Sequence, residues 1–274
     1  MKMEENWHVH APWAQLVCCT EIPEDKLIKF MAISNETLDE AKDAEDNHQG
    51  GIIPQPWSII HDKWEKYGVL NYVMEMTEKY MQTILANGNV QSNLNTVLHG
   101  GPHTEWHTRI AGAWIVSQKE NDYIPVHAHD NQTESCKISA VLYLKVPEQI
   151  GWTREQIEKK DSNELKIRGG EDGQIVFTGV GGGDLFSTTH MWNVPPQQGW
   201  LYLFPSSITH QVYPFKGEGE RRGISINIDV ISTEQLQLME EQVKAQKENV
   251  TYNDYKIDTE EDAKANSMGY KVKL

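Results

Sequence analysis

Three histidines carry the chemistry that this chain could do. His127 and His129 stand one residue apart in Val-His-Ala-His-Asp, and His210 follows far downstream in Ile-Thr-His-Gln-Val. Residues i and i+2 of a β-strand point to the same face. His127 and His129 could therefore grip one ion from one side, and a distant strand could bring His210 to close the triangle. Three protein ligands leave coordination positions open, as oxygen-activating non-haem iron requires, although zinc or nickel could use the same imidazoles. Asp130 offers a carboxylate alternative to His129, but on a regular strand it points away from the face of His127.

Strands must place this trio. Short candidates occur at 110–118, 123–128, 137–146, 164–168, 174–178, 200–204, 209–214 and 221–230, punctuated by Gly, Pro and Asn. Many short strands separated by turns favour a sandwich or barrel over parallel βαβ units. The pair His127/His129 falls where one strand ends, just after Pro125. His210 lies in another, after the apolar run Gly199-Trp-Leu-Tyr-Leu-Phe-Pro205.

Helices flank this β-rich stretch. Residues 23–47 read as one or two surface helices, with Leu27, Phe30 and Met31 at helical spacing. Residues 68–87 give the clearest helix, with Val73, Thr77, Tyr80, Met81 and Ile84 on one stripe and Gly88 at the stop. Ser232-Thr-Glu-Gln235 matches a capping box at the head of a further helix. The expected organisation is a helical region at 1–90 packing on the barrel, a β core at 91–230, and a helix and tail at 231–274. The end helices could cover the barrel or form a homodimer interface, and the sequence does not choose.

Composition narrows the partners. A net charge of −15 argues against nucleic acid or an anionic membrane as a partner. Cys18, Cys19 and Cys136 are odd in number and two are adjacent, so a disulfide framework is not expected. The N-terminus lacks the apolar run of a signal peptide, and no stretch approaches the ~20 apolar residues of a membrane span. A cytoplasmic setting fits, and the sequons at Asn35, Asn131 and Asn249 then have no use. Two patterns are set aside. Gly179-Val-Gly-Gly-Gly183 lacks the Lys-Ser/Thr of a phosphate loop. His99, His103 and His107 are spaced by four, but Gly100-Gly-Pro102 breaks any helix that would align them.

Taken in order, several segments resemble a known group. They are Ala113-Trp-Ile115, His127-Ala-His129, Ser139-Ala-Val-Leu-Tyr-Leu144, Gly199-Trp-Leu-Tyr-Leu-Phe-Pro-Ser206, His210-Gln-Val-Tyr-Pro214 and Glu220-Arg-Arg-Gly-Ile-Ser-Ile-Asn227. From about 110 to 230 the chain resembles the Fe(II)- and 2-oxoglutarate-dependent oxygenases, and within them a short bacterial and phage-type branch related to prolyl hydroxylases.

The resemblance implies a mainly β fold, a double-stranded β-helix (a jelly-roll, cupin-like barrel) with the metal at its mouth. It implies Fe(II) as cofactor and 2-oxoglutarate and O2 as co-substrates. Its metal motif falls on His127 and His129, with His210 as the distal ligand, so that His129 stands where a carboxylate usually does. No catalytic residue beyond the metal ligands is implied. The family pattern makes Arg221 the anchor of the far carboxylate, where a guanidinium can fork onto two oxygens. Strand alternation agrees, because Arg221 shares a face with Ser225 and Asn227, whereas Arg222 shares one with Ile224, Ile226 and Ile228. Tyr143 matches a tyrosine that touches the same carboxylate in prolyl hydroxylases, and Ser139, Asn227 and Trp114 are further pocket candidates. The implied reaction is oxidative decarboxylation of 2-oxoglutarate to succinate coupled to hydroxylation of a protein side chain or small molecule. The alternative is a cupin-like metal-binding protein without oxygenase activity, which keeps the trio but needs no anchor.

Overall fold

A computed structural model of the chain describes residues 7–10, 15–41, 57–86, 105–129, 137–151, 171–179, 191–233, 236–238, 241 and 270–273. Its strands are β1 (Trp7–His10), β2 (Val17–Glu21), β3 (Trp57–Ser58), β4 (Glu105–Gln118), β5 (Ile124–His127), β6 (Ile138–Lys145), β7 (Ile175–Thr178), β8 (Met191–Val194), β9 (Trp200–Pro205), β10 (Thr209–Val212), β11 (Arg221–Ser232) and β12 (Tyr270–Lys273). Its helices are α1 (Glu24–Glu40), α2 (His61–Lys66) and α3 (Leu70–Ala86). Two compact units emerge. One comprises residues 1–70 and 111–227, the other residues 71–110 and 228–274.

The first unit carries two antiparallel sheets, the mainly β, jelly-roll class of fold expected. In the larger, the order runs β1-β2-β9-β6-β11-β4, and β3 also pairs with β4. The smaller has the order β5-β10-β7-β8. One core joins their facing surfaces: Cys19, Tyr143, Tyr202 and Phe204 from the large sheet meet Ile175, Phe177 and Val212 from the small one. Burying one such apolar side chain contributes roughly 1.5–3 kcal/mol, so this seam is what holds the sheets together.

Alternation explains which side chains reach that seam. In β9, Tyr202 and Phe204 face it, while Leu201 and Leu203 on the other face are buried as well. A central strand between β2 and β6 is covered on both sides, so it reads as a continuous apolar run. Helix α1 packs on β6 and β3. It begins at Pro23, with Glu24 and Asp25 in the first turn, where carboxylates suit the helix dipole. Phe30, Ile33, Ser34 and Thr37 are its buried residues. Phe30 meets Trp64 of α2 edge-on at 6.1 Å, and buried Lys63 ties α2 to α1 through Thr37 (3.1 Å) and Glu40 (2.5 Å).

In the second unit, α3 buries Val73, Thr77, Tyr80, Met81 and Ile84, the stripe expected from spacing. The start of β4 pairs with β12, and Arg109 reaches the buried Asp229 at 3.3 Å. Beside its helices, the stretch 1–90 contributes three strands to the large sheet. The strand expected at 164–168, the glycine run from 180, His99, His103 and most of the helix expected after Ser232 lie outside the described residues.

Candidate metal and anion site

One cavity of the first unit receives most of the residues singled out in the sequence. Its volume is about 140 Å³, against the roughly 10–15 Å³ that one water needs on the same measure. It can hold a ligand of several heavy atoms. Its lining includes His127, His129, His210, Trp114, Ser139, Tyr143, Arg221, Ser225 and Asn227.

The three histidines converge. Their ligand atoms all lie within 4.8 Å of one another, so one ion could be held between them. His127 and His210 are direct cross-strand partners on β5 and β10, with ring centroids 4.3 Å apart. Each is oriented by its own backbone: His127 Nδ1 lies 2.8 Å from the Pro125 carbonyl, and His210 Nδ1 lies 2.9 Å from that of Ile208. A carbonyl only accepts, so Nδ1 carries the proton in both rings and Nε2 keeps its lone pair for a metal.

His129 arrives differently. Strand β5 ends at His127, so strand alternation does not place the second histidine. Its backbone N–H donates instead to the Ser206 carbonyl (2.9 Å). Its ring stacks on Trp114 (5.7 Å, 21°) and on His210 (5.2 Å, 9°). The turn between β9 and β10 therefore steers two ligands, through Ser206 for His129 and Ile208 for His210. Asp130, the alternative ligand, lies outside the described residues.

Burial favours the neutral form of His129 and His210. His210 sits against the rings of Phe204 (5.1 Å) and Phe177 (6.0 Å). Burial first, and then the charge of His127, pushes its pKa down to about 3. The same two causes, in the same order, bring His129 to about 4. Both rings are ready to ligate at neutral pH without losing a proton first.

The opposite need governs the other end of the cavity. Arg221 is 3% exposed, and its Nη2 donates to the Tyr143 hydroxyl at 3.1 Å while Nη1 donates to Gln118 Oε1. The guanidinium also lies over the Tyr143 ring, 4.8 Å from its centroid. Its Nε is buried without a hydrogen-bond partner among the described residues. Tyr143 is fully buried, and burial raises its pKa against the opposing charge and hydrogen bond of Arg221. Ser139 donates to Asn227 Oδ1 at 3.4 Å.

Arg222 turns away from the cavity, as alternation along β11 requires. It binds Glu220 at 2.5 Å, Ser34 at 3.3 Å and Asn35 at 2.7 Å. Sequence reasoning did not single out Gln118. It follows Trp114 and Val116 at period two on β4, and a buried amide on an otherwise apolar face is the signal that could have found it. Gly223 lets β11 approach β6, because a Cβ there would stand 2.9 Å from the Leu142 carbonyl oxygen.

None of the cavity's described lining residues is acidic, although the chain carries a net charge of −15. A cluster of imidazoles beside an incompletely bonded guanidinium suits a divalent metal together with an anion. Both parts fit Fe(II) and a dicarboxylate such as 2-oxoglutarate. The donor set is all-nitrogen and suits iron. The guanidinium retains donors for a carboxylate.

The solved structures similar to this chain include a prolyl-4-hydroxylase from Pseudomonas putida, at 16% identity and TM-score 0.35, with 82% of this chain and 84% of that one covered. AviO1 from Streptomyces viridochromogenes follows at 10% identity and TM-score 0.41, covering 77% and 89%. HygX from Streptomyces hygroscopicus, solved with nickel and 2-oxoglutarate, matches at 9% and 0.41, covering 78% and 82%. Such likenesses are too slight to carry function. No curated protein matches the chain. The family described as "Putative 2OG-Fe(II) oxygenase" matches residues 112–227, a span that takes in all three histidines, Tyr143 and Arg221. Over that span, a little under half of its length, the chain is similar to the 2OG-Fe(II) oxygenase family.

Proposed function

We propose that this cavity is the active site of a hydroxylase acting on a protein side chain or a small molecule. The observation that carries the reading is the pairing, in one cavity without described acids, of a three-histidine cluster with an incompletely bonded buried arginine. His127, His129 and His210 would hold Fe(II), the first and last through Nε2. Bound there, Fe(II) supplies the oxidising chemistry: O2 and 2-oxoglutarate are consumed, one oxygen atom enters the substrate as hydroxyl, the other enters succinate, and CO2 leaves.

The protein's own part is to bind, orient and exclude water. Arg221 takes the far carboxylate of 2-oxoglutarate through its remaining N–H donors, with the Tyr143 hydroxyl beside it. Ser139 and Asn227 supply polar contacts along the cavity. Trp114 keeps His129 in place, and Phe204 and Phe177 shield His210. His129 in place of a carboxylate adds one unit of positive charge to the metal site, which favours a dianionic co-substrate. Residues 91–230 would form the oxygenase core with accessory regions on either side. A cytoplasmic setting suits thiols that remain reduced. Among the described residues no helix is long and apolar enough to cross a membrane.

Succinate formation tests the proposal. The full chain with Fe(II), O2 and 2-oxoglutarate should generate succinate, and both His127→Ala and Arg221→Ala should abolish it. Succinate formation that survives Arg221→Ala would contradict the assigned anchor. Failure of the folded, Fe(II)-loaded wild type to bind 2-oxoglutarate would favour the cupin-like alternative.

A further inference from the structure

Resting on the reading of Arg221 as the carboxylate anchor, we propose that Gln118 is its positioning residue. It aims the guanidinium while leaving its charge uncancelled. Gln118 is fully buried at the end of β4. Its amide is held at both ends: Oε1 accepts from Arg221 Nη1, and Nε2 donates to the Asp122 carbonyl at 3.2 Å. The second bond settles which way the amide faces, since an N–H cannot serve as acceptor toward Arg221. Asp122 is in turn fixed, because its Oδ2 accepts from the Lys119 N–H at 2.8 Å.

The choice of amide over carboxylate matters here. Buried arginines are commonly paired with an acid. Arg222, the neighbour of Arg221, follows that rule with Glu220. The described partners of Arg221 are an amide and a phenol, both neutral. A glutamate at position 118 would have nearly the same shape but would satisfy the guanidinium permanently and compete with any anionic ligand. Glutamine pins the fork without becoming that competitor. The side chain does not touch the reacting atoms in this account, so its effect passes through Arg221.

Two variants separate positioning from simple support of the turn at 119–122. Gln118→Met loses both hydrogen bonds; Gln118→Glu also loses the bond to Asp122 but adds a negative charge next to Arg221. Binding to the Mn(II)-loaded full chain is read by calorimetry with 2-oxoglutarate and with oxalate, which can chelate the metal but is too short to reach a distant anchor. We expect 2-oxoglutarate affinity to fall roughly tenfold in Gln118→Met, the loss of one bond to a charged group. In Gln118→Glu it should fall roughly a hundredfold or more, through intramolecular competition. Oxalate affinity should change by less than about twofold in either.

Equal 2-oxoglutarate affinity in wild type and Gln118→Glu would overturn the proposal, as would a parallel loss of oxalate binding. A second readout needs neither metal nor co-substrate. The Nε–H signal of Arg221 in the metal-free chain should show a restrained guanidinium in wild type and a mobile one in Gln118→Met. An equally restrained signal in both would refute the positioning role. If wild type binds oxalate but not 2-oxoglutarate, the anchor reading fails, and this signal alone then decides whether Gln118 positions Arg221.

Discussion

Replacing Arg221 by methionine removes the cation from the cavity while keeping a side chain of similar reach. A guanidinium carries five N–H donors. Gln118 and Tyr143 take one each, which leaves enough for a carboxylate to receive two. A hydrogen bond to a charged group contributes about 1.5–3 kcal/mol, so losing two costs about 3–6 kcal/mol of co-substrate binding. With a tenfold change for each ~1.4 kcal/mol, 2-oxoglutarate should bind at least about a hundredfold more weakly. The fold should survive. Tyr143 and Gln118 each lose a donor, but the protein no longer buries an incompletely paired charge, and these two effects oppose one another. The assay is calorimetry on Mn(II)-loaded wild type and Arg221→Met, with oxalate as the ligand that bypasses the anchor and a melting curve as the check on folding. Binding of 2-oxoglutarate to a folded Arg221→Met within about threefold of wild type would contradict the anchoring role of Arg221, since the loss of two such hydrogen bonds weakens binding far more.

Other perturbations address the scaffold. Gly223→Ala should destabilise the protein by about 1–3 kcal/mol in denaturant titration, because its methyl would press on the Leu142 carbonyl; an unchanged midpoint would contradict the close approach of β6 and β11. Glu220 is partly buried, which raises its pKa, but hydrogen bonds from Arg222 and Ser117 and the arginine's charge bring it below the ordinary carboxylate value. Its stabilising effect is therefore present above the unfolded pKa and disappears as pH falls through the lower folded one. Glu220→Gln should cost about 1–2 kcal/mol at neutral pH and much less once the pH has fallen through the lowered folded pKa, and a cost that grows in acid would reverse the sign. Burial, and then the adjacent Cys19, pushes the Cys18 thiol up to about 12. At pH 8 only about one part in ten thousand is thiolate, so maleimide should label Cys18 slowly in the folded protein and rapidly in urea. Equal rates, read by peptide mass spectrometry, would show that the strand is open.

Alternation made some of the cavity legible from sequence. A period of two along β11 separates Arg221, Ser225 and Asn227 from Arg222 and the isoleucines, and this division is the one the structure shows. The residue types of the histidine cluster were readable too, but the way His129 joins it was not. A bend after β5, a bond to Ser206 and a stack on Trp114 bring it in, and all three depend on distant parts of the chain. Strand β2 escaped notice because Val17, Cys18 and Cys19 are buried on both faces, so no polar alternation marks them. Strand β8 is a short edge strand with mixed exposure and gives an equally faint pattern. Gln118 was hidden for a related reason. Its meaning lies in which charge it touches, and that partner stands on another strand.

As proposed, three histidines and one arginine make a joint site for Fe(II) and 2-oxoglutarate. Anaerobic titration of 2-oxoglutarate into the full chain, with and without Fe(II), tests it most directly. Saturable binding of one 2-oxoglutarate per chain is expected when Fe(II) is present, and much weaker binding when it is absent or when His127 is replaced by alanine. A folded, Fe(II)-loaded chain that takes up no 2-oxoglutarate would contradict it.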